Sequence, residues 1–190
     1  MRFFETIRIE DGRAHNLSYH NLRLNTTIYD HFGFDPAIDL KNLIDPPTKG
    51  LFRCKVIYSN KVESIHYYPY TPKKIATLKI IEANIDYAYK YLDRSAIELL
   101  LTQKDSADDI LIVKNGLITD TSIANVAFYR QGTWYTPKTP LLPGTTRQRL
   151  LDQGVLQEAL ITIDELVSFE KMALLNAMIG FFEMKLSIIW

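Results

Sequence analysis

Cysteine is almost missing from this 190-residue chain, in which Cys54 stands alone. One thiol excludes an internal disulfide framework, makes a cysteine zinc site untenable and agrees with a reducing compartment. Net charge is missing too, because 22 Lys and Arg balance 22 Asp and Glu. Without a field of one sign, neither nucleic acid nor an anionic membrane surface is expected as a partner. Long hydrophobic runs are lacking. The most apolar stretch, residues 173–182, is broken by Asn176 and too short to span a bilayer. The N-terminus has no apolar core of a secretory signal, so a soluble cytoplasmic protein is the expectation. His15, His20, His31 and His66 are scattered, and no metal centre is expected from them. No glycine-rich dinucleotide fingerprint or P-loop occurs.

What is there is apolar and aromatic, at 47% and 12% of the chain, enough for a folded core in one domain or two small ones. Residues 3–9 alternate as a strand, with Phe4, Thr6 and Arg8 on one face and Phe3, Glu5, Ile7 and Ile9 on the other. Asp11-Gly12 signals a hairpin whose return strand starts over residues 14–17, and Ser18 reads as the cap of a helix over 19–31. Residues 51–58 and 62–68 form a second hairpin around Ser59-Asn60. Pro69 and Pro72 make 69–74 the linker between a small N-terminal α+β domain, 1–72, and a larger C-terminal domain, 75–190.

The second domain opens on a strand over 75–81 and a helix over 89–101 with Leu92, Ala96, Leu99 and Leu100 as its apolar face. Residues 110–113 and 117–119 are strands joined by Asn115-Gly116, a type I′ signal, and 125–129 pairs with 133–135 around Gln131-Gly132. A helix starts at Thr145 and stops near Gly154. A strand near 159–162, a short helix capped by Thr162 or Asp164, and strands at 173–175 and 186–190 complete the chain. Hairpins mixed with helices give an α+β class with mixed sheets.

Several residues have both a plain and a chemical reading. Pro143-Gly144 ahead of Thr145-Thr146 puts unpaired N–H groups at a helix start, where a phosphate binds favourably; an ordinary capped helix has the same pattern. Asp120, five residues before Asn125, is either a turn residue or a placed carboxylate. Arg23 could pair with an acid on its own helix, and Lys90 could be solvated. Asn176 lies in an apolar run, where its amide needs a partner.

In order along the chain, these residues resemble the pyridoxal-phosphate (PLP) site of the class IV aminotransferases. That family contains branched-chain and D-amino-acid aminotransferases and aminodeoxychorismate lyase. His20-Asn21-Leu22-Arg23-Leu24 matches its H-x-x-R-L element, and Tyr89-Lys90-Tyr91-Leu92-Asp93 resembles its K-x-L-N element, with Asp93 for the usual Asn. Asp120 and Asn125 stand for Glu-x-x-x-x-Asn, with Asp where Glu is usual, and Leu142-Pro143-Gly144-Thr145-Thr146-Arg147 follows. Leu174-Leu175-Asn176-Ala177-Met178 is similar to the N-A-L-M form of aminodeoxychorismate lyases.

The resemblance implies a two-domain D-amino-acid-aminotransferase-like fold with a trimmed small domain, and a homodimer. It makes Lys90 the Schiff-base lysine and the acid and base of catalysis. Arg23, Thr145, Thr146, Asn176 and Ala177 would hold the cofactor phosphate. Asp120, in its motif with Asn125, would keep the pyridine nitrogen protonated. Phe4 and Arg8 would face the substrate, Arg8 binding a carboxylate, although a solvent-facing strand arginine fits the pattern equally. The implied reaction on a small amino substrate is that of aminodeoxychorismate lyase, which releases pyruvate to give 4-aminobenzoate. An amino-acid transaminase is the alternative, and a catalytically silent PLP- or protein-binding relative the second.

Overall fold

The computed structural model describes residues 1–189; Trp190, expected in the last strand, lies outside them. The chain divides into two compact units, Met1–Pro72 with Tyr89–Asp93, and Lys73–Ala88 with Arg94–Trp190.

In the first unit, β1 (Phe3–Glu10) turns at Asp11-Gly12, both at positive φ, into the two-residue β2 (Arg13–Ala14). The return strand is shorter than expected because Asn16 adopts a left-handed conformation that starts α1 (Leu17–Phe32). Asn16 takes the cap position expected of Ser18, which lies inside the helix. Gly33, also left-handed, ends α1 with its N–H donating to the Tyr29 carbonyl at 2.9 Å. β3 (Leu51–Tyr58) and β4 (Val62–Pro69) complete an antiparallel sheet of order β2-β1-β3-β4. Period-two alternation buries Phe3, Ile7 and Ile9 with Cys54, Val56 and Tyr58 beneath Leu24 and Ile28 of α1. Each such side chain contributes about 1.5–3 kcal/mol by leaving water.

Residues 89–93 are irregular, with bends at Tyr89 and Leu92 and the Tyr91 N–H donating to the Tyr89 carbonyl at 2.8 Å, not the first turn of a helix. The Lys90 carbonyl accepts from the Phe4 N–H at 2.9 Å, the Leu92 N–H donates to the Arg2 carbonyl at 2.9 Å, and Tyr91 bridges to Phe3. The rings of Tyr89 and Tyr91 pack with Phe3 and His31, His31 and Tyr89 meeting edge-on at 4.4 Å. Strand-edge hydrogen bonds and aromatic burial here outweigh helix propensity, which is only tenths of a kcal/mol per residue.

In the second unit, β5 (Leu78–Glu82) starts later than the expected Ile75, because the Asp108 carboxylate takes the Ala76 and Thr77 N–H groups at 2.8 and 3.0 Å. The helix is only α2 (Ser95–Leu101); its buried residues are Ile97 and Leu100, while Leu99, expected inside, is 66% exposed. β6 (Asp109–Lys114) and β7 (Leu117–Thr121) flank Asn115-Gly116, both at positive φ. β8 (Asn125–Arg130) and β9 (Thr133–Pro137) lead to α3 (Thr145–Asp152). β10 (Leu156–Ala159) pairs in parallel with β9 and lies before the expected 159–162. A 3₁₀ turn, Asp164–Ser168, replaces the short helix, its Glu165 carboxylate accepting from the Thr162 N–H. β11 (Lys171–Asn176), β12 (Gly180–Met184) and β13 (Ile188–Ile189) follow. The strand path is β10-β9-β8-β7-β6-β5-β13, with β11 between β8 and β12. β7 and β8 pair through Asp120 and Asn125, so the two residues of the expected motif are also the seam of this sheet.

Candidate cofactor site

The first unit holds a carboxylate on the apolar face of β1. Glu5 is fully buried among Phe3, Ile7 and Ile9, where an unpaired charge would cost several kcal/mol. It is paired twice from α1. Arg23 forks onto it, Nε to Oε1 at 2.8 Å and Nη2 to Oε2 at 2.5 Å, and His20 Nδ1 lies 2.6 Å from Oε2. Arg23 and His20 are three residues apart, one helical turn, so both reach the same carboxylate. Burial pushes the Glu5 pKa up, but the Arg23 charge and the bonds from His20 and Arg23 outweigh it and bring it to about 2. An ionised carboxylate only accepts, which assigns the proton of the short contact to His20 Nδ1. Burial holds His20 itself below its ordinary pKa, against the opposing pull of Glu5.

Lys90 is half-buried, with Nζ 4.7 Å from the centroid of the Phe4 ring; Lys55 Nζ lies 5.1 Å from the same ring. Arg8 reaches Glu10 through Nη2 at 2.9 Å and Nε at 3.3 Å. Strand register places Arg53 opposite Arg8 and Lys55 opposite Thr6 on the same sheet face.

The second unit holds Asp120 5% exposed at the β7–β8 seam. Asn125 Nδ2 donates to its Oδ1 at 2.7 Å, and the Leu142 N–H donates to its Oδ2 at 2.9 Å. Asn125 Nδ2 also donates to the Leu142 carbonyl at 2.8 Å, tying the strand seam to the segment before α3. Burial raises the Asp120 pKa to about 7, against those hydrogen bonds and the Arg147 charge. At neutral pH this carboxyl is poised between its two forms and gains from any cation brought to it.

α3 begins beside this carboxyl. A Cβ on Gly144 would stand 1.9 Å from Asn125 Oδ1, so the closeness of helix start and seam depends on glycine. No side chain caps α3, and its first intrahelical N–H bond runs from Gln148 to the Gly144 carbonyl at 2.9 Å. The amides of Thr145 and Thr146, both buried residues, thus belong to the turn whose N–H groups have no partner within the helix. Buried Arg147 is held by the Pro137 carbonyl at 2.7 Å and Glu158 at 2.6 Å. Asn176 closes the β11–β12 turn, its Oδ1 accepting from the N–H groups of Met178 and Ile179, and its Nδ2 donates to the Ile123 carbonyl at 3.3 Å. Half-buried Ala177 lies within that turn. A separate cavity of about 290 Å³, lined by Asp86, Lys114, Thr119, Thr139 and Leu141 among others, includes none of the residues expected at the cofactor.

The class IV aminotransferase family profile matches residues 62–186. The chain belongs to the class IV aminotransferases. A relative of this class IV chain, an uncharacterized protein of Haemophilus influenzae, is 38% identical over 183 residues, 93% of this chain and 97% of that protein. A crystal structure described as a putative 4-amino-4-deoxychorismate lyase from Haemophilus somnus 129PT superposes with a TM-score of 0.86 at 35% identity, covering 94% of this chain and 97% of that one. A putative aminodeoxychorismate lyase of Schizosaccharomyces pombe is 40% identical over 81 residues, 40% of this chain but 35% of that protein. The class IV fold with a trimmed small domain is therefore shared with proteins of nearly the same length. The class IV family is PLP-dependent, and a hypothetical aminotransferase from Mycobacterium tuberculosis in its PLP-bound form has the same fold, with a TM-score of 0.81 at 17% identity over 98% of this chain and 80% of that one.

The class IV chemistry fits the residues present. A pyridinium nitrogen would give buried Asp120 a direct cationic partner, and a phosphate suits the uncapped amides at the start of α3. Sequence reasoning missed Glu5, although a carboxylate alternating with Phe3, Ile7 and Ile9 on one strand face demands a buried cation. It named Leu142 only as part of the element before α3; the backbone contact with Asp120 leaves no trace in residue type.

Proposed function

We propose that this chain is a PLP-dependent enzyme of the aminodeoxychorismate lyase type, which releases pyruvate and yields 4-aminobenzoate. The observation that carries this reading is Asp120, a buried carboxyl with pKa raised to about 7 and held by Asn125 and Leu142. The 35% identity over 94% of the chain with a structure described as a putative lyase supports the choice of reaction.

Bound PLP would supply an electron sink for a negative charge left at the substrate's α-carbon. Asp120 would be the carboxylate that keeps the ring nitrogen protonated. Lys90 would hold the cofactor through its aldehyde and would serve as the base and acid that moves the substrate's α-proton. Arg23, the Thr145 and Thr146 amides and the Asn176-Ala177 turn would hold the phosphate, the arginine by charge-assisted bonds and the amides by the helix-end field. Arg8 orients a substrate carboxylate, and Arg53 and Lys55 on the same face favour an anionic substrate. Phe4 forms the apolar floor beside Lys90.

The test combines spectrum, trapping and turnover. The purified protein with PLP should absorb at the edge of the visible range. Borohydride should then fix the cofactor on Lys90, and Lys90→Ala should abolish both signals. Turnover of aminodeoxychorismate against a panel of amino acids decides the reaction. Label on another lysine would overturn the assignment of Lys90, transamination without pyruvate release would make the chain a transaminase, and PLP binding without turnover a silent relative.

A further inference from the structure

We propose that Glu5 is a positioning residue for the cofactor phosphate, acting by locking the Arg23 guanidinium from the protein side while His20 locks Glu5. The inference rests on the reading that Arg23 binds that phosphate.

Three observations carry it. First, Glu5 is fully buried on a strand face that otherwise holds Phe3, Ile7 and Ile9, so its charge is tolerated only because partners meet it. Second, the Arg23 contact is a two-point fork, Nε to Oε1 and Nη2 to Oε2, which fixes the guanidinium plane as well as its distance. A single-point contact would leave the plane free to rotate. Third, Glu5 cannot swing away, because Oε2 also accepts from His20 Nδ1, and His20 is 1% exposed on α1.

A guanidinium has five N–H donors, and this geometry spends the Nε edge on the protein. Its remaining directions are thereby set before any anion arrives. Binding to a preset arginine avoids the ordering of a mobile side chain. Glu5 also stays ionised across the working pH range, so the clamp is permanent and not a pH switch.

PLP and pyridoxal share the aldehyde and the ring and differ in the phosphate alone, so the ratio of their affinities isolates phosphate recognition. Cofactor-stripped protein is titrated with each and followed by absorbance, with circular dichroism as the check on folding. For Glu5→Gln the PLP affinity should fall at least tenfold while pyridoxal affinity changes less than twofold. A general loosening of the fold would lower both together and leave the ratio unmoved. Should Glu5→Gln not fold, Glu5→Asp decides: it keeps the charge but draws the carboxylate back one methylene, and the ratio should fall at least threefold. An unchanged ratio in the folded Glu5 variant overturns the positioning role. Arg23→Gln, or Arg23→Lys if that variant does not fold, reports on the phosphate assignment separately. If it leaves the ratio unchanged, Arg23 does not bind the phosphate and the role of Glu5 falls with it. If it lowers the ratio while the Glu5 variants do not, Arg23 binds phosphate without the clamp.

Discussion

Asp120 and Glu5 are both buried carboxylates, and their surroundings push them in opposite directions. Glu5 meets a guanidinium and an imidazole N–H and is drawn down to about 2; Asp120 accepts from neutral donors, and burial outweighs these and the Arg147 charge and lifts it to about 7. A pyridinium opposite Asp120 would restore the ionised form, which is why the charge matters more than the shape. Asp120→Asn should keep the fold and still bind cofactor, yet lower turnover on the order of 10²-fold or more by removing a preorganised charge. Asp120→Glu should retain most activity, since glutamate is the family's usual residue. Steady-state rates of the two variants check this, and an asparagine variant as active as wild type would end the electronic role. Cys54, buried with its thiol pushed up to about 12, should be inert to thiol reagents in the native protein.

At the scale of elements, the seam between β7 and β8 and the start of α3 form one construction. Asn125 bonds Asp120 and Leu142, and Gly144 leaves room for Asn125. Gly144→Ala drives a Cβ into the Asn125 amide, so Asn125 or the helix start must shift. The expected cost is about 1–3 kcal/mol in urea denaturation, with weaker PLP binding measured alongside. The short α2 gives a contrast between expected and observed faces. Ile97→Ala should cost about 2–5 kcal/mol, while Leu99→Gln should stay within about 0.5 kcal/mol, because only Ile97 is buried. Equal costs for the two would mean that the longer helix with Leu99 inside is the right one.

For the whole molecule, the two carboxylates set how stability depends on pH in the cofactor-free protein. Glu5 has a depressed folded pKa, so its contribution is present above its unfolded value, near 4.5, and is lost as pH falls toward 2. Asp120 has a raised folded pKa, so the folded state holds more protons between about 3.8 and 7, and stability declines as pH rises through that range. Buried His20, held below its ordinary 6.5, opposes that decline because its contribution is lost as pH falls, so the part due to Asp120 is the difference between wild type and Asp120→Asn in melting temperature against pH. Asp120→Asn should remove the decline on the neutral side, and saturating PLP should flatten it. Among the described residues no helix is long and apolar enough to cross a membrane. Assembly is an expectation of the family, a homodimer with the site near the subunit interface. Light scattering should return twice the mass of one chain, and a strictly monomeric active enzyme would remove that argument.

Sequence alone determined what depends on local rules and on residue type. Alternation placed β1 with its faces as observed, the Asn115-Gly116 and Gln131-Gly132 turns defined their hairpins, and the ordered elements around Arg23, Lys90, Asp120 and Thr145 pointed to the family. The tertiary structure decided what depends on neighbours distant in the chain. Lys90 sits on a non-helical segment because the backbone of β1 offers hydrogen bonds that local propensity cannot register. Asp120 is poised near neutrality because burial outweighs the neutral donors Asn125 and Leu142 and the Arg147 charge. Glu5 serves as a clamp because α1 lays Arg23 and His20 across β1, a pairing over 15 and 18 residues that only burial makes obligatory.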